Sequence, residues 1–337
     1  MLTTTAPCSV VASSPDRRLA MARTGRFVAS RKAAAVELVD ALGTAPRRTL
    51  AGAVDDLAFV ANELWLLRGG QVSRHPLTGA AAPSTLAVGC EARTLIAAGG
   101  DGSTTALAAS VLLDGTLGRA FEVPAGDSMF PLGGRHVLVA RAALTVADAG
   151  RGERVLVPWP TREPVVAATY LLGTRAIAIV VGGARPRVLV LAANGGRIHE
   201  IELPAPALGV AFADRRGLAL ISTGARSLVV VDLRYGRIKH HEAPFNFSDV
   251  AVDADARFAA FASGDEVVHG AFGELVRCPQ PSAPIEVPEP APEPVADAAA
   301  CAPVPAVTPQ LVVPPVEVPD ALPLALGAPL PPLTVSA

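Results

Sequence analysis

The chain is predicted to be all-β, a β-propeller of seven blades with four antiparallel strands each, followed by a disordered Pro/Ala-rich C-terminal tail. Three observations carry this. Apolar runs end in glycine turns at Gly43, Gly79, Gly118, Gly152, Gly196, Gly236 and Gly273, roughly 34–44 residues apart, the period of a four-strand blade. Half of the 337 residues are apolar but only 4% are aromatic, so the core must be built from Val, Ala, Leu and Ile, a palette that favours strands where Val and Ile cluster. Composition then changes abruptly after Arg277. The propeller is expected over residues 8–280 and the tail over 281–337.

Taken in order, the first unit, Cys8–Leu50, is the least regular. Its KAAAVELVDALG segment reads as a strand or as a helix ending at glycine, which leaves the blade count open by about one. Val54–Ala87 and Asp127–Pro158 keep the strand-and-turn grammar, and Cys90–Pro124 follows it loosely. The last three units carry it best. Pro164–Leu203 has Asn194-Gly195-Gly196 at its third turn, and Leu208–Pro244 splits into four runs joined by short turns rich in Asp, Gly and Arg, as antiparallel hairpins require. Phe247–Pro279 is expected to repeat this, with its third turn at Phe272-Gly273. Blades that bury both faces against neighbours must stack, and closing the ring leaves only short edges. A pair of β-sandwiches is the competing arrangement. If the ring closes, Cys8 and Cys278 are expected near each other.

The segments SLVVVDLRYGRIKHH, RVLVLAANGGRIHEIEL and GVAFADRRGLALIST resemble blades of WD40-like or YVTN-like bacterial β-propellers over roughly residues 8 to 280. The Trp-Asp dipeptide is absent, its nearest echoes being Val231-Asp232 and Val146-Ala147-Asp148, and so is the Gly-His pair; the resemblance is to a divergent relative. It implies a rigid scaffold that binds partners on its rim or top face.

The tail, from Pro279 on, holds 17 of the 31 prolines, six acidic residues and no Lys or Arg. The remainder carries 29 Lys and Arg against 25 acidic residues, a balance of +4. PEPAPEP and PPVEVP read as polyproline II. With few large apolar side chains, this segment builds no core of its own. It is a linker, or a docking segment whose LVVPP and LPLALGAPLPPL supply apolar anchors.

Several function classes are disfavoured. The net charge of −2 comes with no long basic run, so no nucleic-acid surface is expected. The N-terminus lacks a signal-peptide pattern, and the apolar stretch from Val165 to Gly183 is split by Arg175; with Ile177–Val181 read as a buried strand, no membrane contact is expected and the location is cytoplasmic. Cys8, Cys90, Cys278 and Cys301 show no paired spacing. Gly99–Ser103 lacks a phosphate-binding lysine and reads as a hairpin turn; the only lysines are Lys32 and Lys239. His240-His241-Glu242 is the only local metal-capable cluster, but neighbours on a strand face opposite ways. Asp253 and Asp255 read as turn caps rather than calcium ligands. Trp65 and Trp159 read as packing residues, with ligand platforms as the alternative.

No catalytic, cofactor-binding or metal-binding residue is therefore assigned, and no cofactor is expected. The reading is a monomeric, non-enzymatic protein-interaction scaffold whose partners are other proteins, bound through the propeller faces and the tail. By fold analogy it resembles a component of an ATPase-associated bacterial system. The alternatives are a lactonase-like metal-dependent hydrolase, which the scarcity of Asn disfavours (Asn62, Asn194, Asn246), or the N-terminal sensor of a longer multidomain protein.

Overall fold

In the computed structural model, the described residues are 19–275, except 79–82, 90–91, 100–103, 117–118, 150, 244 and 264–265. Cys8, Cys90, Cys278, Cys301, Gly79, Gly118 and the tail lie outside them, as does the whole of a second unit that begins at Ile285.

The strands form seven separate antiparallel sheets, each in sequential order. Blade 1 contains β1 (Leu19–Met21), β2 (Phe27–Arg31), β3 (Ala35–Asp40) and β4 (Arg48–Ala51). Blade 2 has β5 (Asp56–Val60), β6 (Glu63–Arg68), β7 (Gln71–Pro76) and β8 (Ser84–Ala87). Blade 3 has β9 (Leu95–Ala97), β10 (Thr105–Ala108), β11 (Val111–Asp114) and β12 (Arg119–Glu122). In blade 4 are β13 (Ser128–Gly133), β14 (His136–Ala140), β15 (Ala143–Asp148) and β16 (Gly152–Pro158). Blade 5 follows with β17 (Val165–Leu171), β18 (Ala176–Val181), β19 (Arg187–Ala192) and β20 (Arg197–Glu202), and blade 6 with β21 (Gly209–Ala213), β22 (Leu218–Ser222), β23 (Ser227–Asp232) and β24 (Arg237–Glu242). Blade 7 has β25 (Asp249–Val252), β26 (Phe258–Ser263) and β27 (Glu266–Ala271), followed by a one-turn helix, α1 (Phe272–Leu275).

Two readings of the first and last units are settled by these elements. The ambiguous KAAAVELVD segment is strand: β3 pairs with β2 and β4. The third turn expected at Phe272-Gly273 is a correction, because Gly273 lies in α1 and blade 7 has three strands among the described residues. Gly273 has a negative φ and open space around its Cα, so nothing local forces a hairpin there.

Side chains alternate across a strand, and in a blade both faces are interior. Ile177, Ile179 and Val181 of β18 enter the core shared with blade 4, while Ala176, Ala178 and Val180 enter the core shared with blade 6. This is why AIAIVV is apolar throughout rather than alternating. Seven such cores follow one another around the ring, each lying between consecutive blades. The seventh, made of Leu19, Val28, Ala251, Ala260 and Ala262, joins blade 7 to blade 1 and closes the ring.

A repeated aspartate reinforces these joints. Asp56, at the start of β5, accepts the Leu57 N–H on Oδ1 (2.8 Å) and the Leu95 N–H of blade 3 on Oδ2 (2.7 Å). At the closing joint Asp249 does the same, with Val250 N–H on Oδ1 (2.9 Å) and Leu19 N–H of blade 1 on Oδ2 (3.0 Å). The ring therefore closes with the chemistry of an internal blade boundary. Gly25 also contributes here: a Cβ on it would stand 2.6 Å from Phe258 of blade 7.

Candidate interaction face

Each blade starts its first strand on one side of the ring. The turns between first and second, and third and fourth, strands therefore share one side, called face A here; the remaining turns and the blade-to-blade connections share face B.

In blades 1, 3 and 6 the third turn of face A is capped by the Asp that ends the third strand. Asp40 Oδ1 accepts the Leu42 N–H (3.1 Å), Asp114 Oδ1 the Thr116 N–H (2.9 Å), and Asp232 Oδ1 the N–H groups of Arg234 (3.0 Å) and Tyr235 (3.3 Å), the side-chain turn that suits Asp there. Asp40 is the most heavily engaged. The Thr44 hydroxyl (2.6 Å) and the Arg26 guanidinium hold its carboxyl at about 2, against the burial that pushes it up.

The channel mouth on face A is bridged. Arg23 of blade 1 reaches past blade 7 to Asp214 of blade 6 with two hydrogen bonds of 2.8 and 2.9 Å, and Asp214 is only 2% exposed. From blade 3, Gly99 crosses to the same point: a Cβ on it would lie 2.6 Å from Thr169 Oγ1 of blade 5 and 3.0 Å from Asp214 Oδ2. Gly99 thus sits in the connection between the paired strands β9 and β10, as the hairpin reading expected; residues 100–103 lie outside the described residues.

Beside this mouth, blades 5 and 6 present an apolar and cationic sector. Leu172 and Tyr235 are 40% and 68% exposed. Arg234 links them: its guanidinium donates to Arg215 O, lies against Gly217 and comes within 3.8 Å of the Cβ position of Gly173. Its carbonyl is bonded to a ring nitrogen of His199 of blade 5 (3.0 Å). The Arg237 guanidinium is 5.7 Å from the Tyr235 ring centre, a cation–π spacing. Arg215 is neutralised by Asp255 (3.3 Å), whereas Arg175 and Arg216 are exposed.

The other residues singled out by sequence sit in structural roles. Trp65 is fully buried, donating to Glu63 Oε2 (2.8 Å), with Arg74 on the same carboxylate (2.9 and 3.1 Å) and 5.3 Å from the indole. Burial pushes the Glu63 carboxyl up, but Arg74 and Trp65 outweigh it and hold it below the usual range. Trp159 repeats the device: it donates to Glu163 O (3.0 Å), and Arg187 grips Glu163 (2.9 and 2.6 Å) 5.8 Å from the ring. Both tryptophans are packing residues.

His240 is exposed on β24 and His241 half-buried beside it. Burial, then the neighbouring Lys239 and His240, push the His241 imidazole below its ordinary value. No group of three metal-capable side chains occurs among the described residues. Asp253 caps its turn, accepting the N–H groups of Arg257 (2.7 Å) and Phe258 (2.8 Å), and Asp255 points between Arg215 and Arg257. The signals that sequence reading missed are the Asp that opens the first strand, in VDDLAF and FSDVAV, and the Arg–Glu–Trp sets around Trp65 and Trp159.

No protein-family model matches the sequence, and neither does any curated protein. Solved structures match the fold. The β-propeller domain of Cps50 (Swd1) from Myceliophteria thermophila superposes with a TM-score of 0.57 at 13% identity, covering 77% of this chain and 98% of that one. A chain of the mitotic checkpoint complex gives 0.56 at 13% identity, with 74% and 85% covered. PorZ, a surface component of the type-IX secretion system of Porphyromonas gingivalis, gives 0.57 at 14%, with 78% of this chain covered and 38% of PorZ. At these identities the likeness is one of fold.

Proposed function

We propose that this chain is a non-enzymatic protein-interaction scaffold and that the blade 5–6 sector of face A is a contact surface on it. The observation that carries the reading is Tyr235 and Leu172, exposed on turns of adjacent blades, with Arg234 reaching to within 3.8 Å of the Cβ position of Gly173 and with Arg175 and Arg216 exposed on turns of the same two blades. Aromatic, apolar and Arg side chains held by turns on a packed ring are the composition of interface anchors. The cationic surround fits a partner with acidic side chains around an apolar centre.

Two of these similar structures come from assemblies, a checkpoint complex and a secretion system; this supports the scaffold class and names no partner. The lactonase-like alternative calls for an open channel mouth lined by carboxylates and Asn. Here Asp214 is taken up by Arg23, Asn62 bonds Thr78 (2.9 Å) and Asn194 caps its own turn on Gly196 (3.0 Å). A monomeric, cytoplasmic state belongs to the same proposal, and sedimentation and cell fractionation test it.

The decisive experiment is affinity capture from the native host with wild type and with the Tyr235→Ala/Arg216→Glu variant, both checked for unchanged melting temperature. A specifically captured partner is expected to weaken by at least about 30-fold, the cost of losing one hot spot of roughly 2 kcal/mol. Equal capture by both proteins would remove this sector from the function.

A further inference from the structure

Among the described residues, five that are not glycine have a positive φ: Ala61, Ala109, Arg162, Arg175 and Ala256. Only Arg162 (φ 46°) and Arg175 (φ 50°) put a long side chain there. The left-handed region crowds Cβ against the backbone, a cost that glycine escapes. Arg175 takes the fourth place of the first turn of blade 5, between β17 and β18. The same place in blades 1, 6 and 7 is also left-handed and holds Gly25, Gly217 and Ala256. Those three are buried or half-buried. Arg175 is exposed, and its guanidinium has no hydrogen-bond or ion-pair partner among the described residues. The turn bears a strain that blades 1 and 6 avoid with glycine, and no polar contact of the side chain offsets it there.

The surroundings of Arg175 set the chemistry it suits. The four face-A turns of blades 5 and 6 (172–175, 193–196, 214–217 and 233–236) contain four arginines, Arg175, Arg215, Arg216 and Arg234, and one carboxylate, Asp214. Asp214 is 2% exposed and held by Arg23, and Arg215 is paired with Asp255. Arg234 lies against the turn of Arg175, its guanidinium 3.8 Å from the Cβ position of Gly173. These turns therefore offer guanidinium groups to a partner and no exposed carboxylate of their own.

We propose that Arg175 is the residue of this face that recognises a carboxylate, the Asp or Glu side chain of an acidic peptide segment in a protein partner. The inference rests on the contact-surface reading above and adds to it the group that is read. A guanidinium presents a planar fork of N–H donors that grips a carboxylate through two parallel hydrogen bonds. A strained backbone under an exposed and unengaged side chain is the pattern of a residue kept for binding rather than for stability.

A phage-displayed library of random peptides is selected on the full chain, and the selected peptides are tested on Tyr235→Ala/Arg216→Glu, Arg175→Gly, Arg175→Lys and Arg162→Gly. Peptides that wild type binds and the double variant does not report on this face. They are expected to carry Asp or Glu beside an apolar residue. A synthetic copy of the strongest is expected to lose about tenfold in affinity on Arg175→Gly, less on Arg175→Lys and nothing on Arg162→Gly. The melting temperature of Arg175→Gly should equal or exceed that of wild type, because glycine relieves the left-handed turn. Unchanged affinity in Arg175→Gly, with the peptides still lost in the double variant, overturns this inference and leaves the contact surface standing. An equal loss in Arg162→Gly traces the effect to backbone strain and overturns it. So does a fall of several degrees in the melting temperature of Arg175→Gly, which makes the arginine structural. If no peptide separates wild type from the double variant, the contact surface fails and this inference fails with it.

Discussion

At the scale of single residues, the ring is held in register by short acidic side chains at fixed places. An Asp that opens the first strand ties a blade to its successor, at Asp56 and again at Asp249, and in blades 1, 3 and 6 an Asp ending the third strand caps the next turn. One of these side chains, Asp40, makes stability depend on acid. Asp40 is held at about 2, below its ordinary 3.8, by Thr44 first and then Arg26 and Leu42 N–H, against burial. A carboxyl that is lowered on folding adds stability above its unfolded value and loses it as the pH falls through the folded one. Urea unfolding at a series of pH values is therefore expected to lose an increment between about pH 4 and pH 2 in wild type. Asp40→Asn should be less stable at neutral pH and flatter across that window; an unchanged profile would refute the role.

At the scale of the element, what distinguishes a blade from an ordinary sheet is that both of its faces are interior. Strands such as β18 and β22 are apolar at nearly every position because alternate residues serve different cores. Turns must also fit against neighbouring blades. Gly195, in the third turn of blade 5, has φ +90° and stands where a Cβ would lie 2.2 Å from the Leu156 carbonyl of blade 4. A side chain there meets backbone that has no rotamer to give. Gly195→Ala is expected to cost roughly 2–5 kcal/mol, combining strain at positive φ with overpacking, read as a fall in melting temperature. By contrast, Gly43 also has a positive φ but nothing within 4 Å, so Gly43→Ala carries the conformational strain alone and should cost less.

For the molecule as a whole, the seven cores are unequal. Those between blades 4 and 5 and between 5 and 6 contain Ile, Leu and Val from several strands and, in the first, Trp159. The closing core has Leu19 and Val28 against three alanines. Burial stabilises in proportion to apolar area, so among the described residues the 7–1 joint has the smallest apolar core, and local opening is expected to start there. Hydrogen exchange is expected to be fastest, among strand amides, in β1 and β25, and slowest in β18 and β22. Uniform protection around the ring would contradict this. Leu19→Ala should lower the melting temperature further than its size alone suggests if opening begins at this joint.

The repeat, the all-β class, the strand nature of Ile177–Val181 and the packing role of the two tryptophans were legible in the sequence, because glycine turns and β-branched runs act locally. So was the capping role of Asp253. The outcome at Phe272-Gly273 was not: the pair has the composition of a hairpin turn, yet Gly273 lies in the one-turn helix α1. The Arg23–Asp214 bridge, the crossing of Gly99 and the approach of Arg234 to Gly173 were equally hidden, since each joins residues from different blades at sequence distances that carry no periodic signal. Local chemistry thus determined the blades, their turns and their order along the chain. Only the tertiary structure decided which residues meet across the ring and that the ring closes through Asp249 and a small alanine-rich core, because those contacts arise from the curvature of seven stacked sheets and not from any one of them.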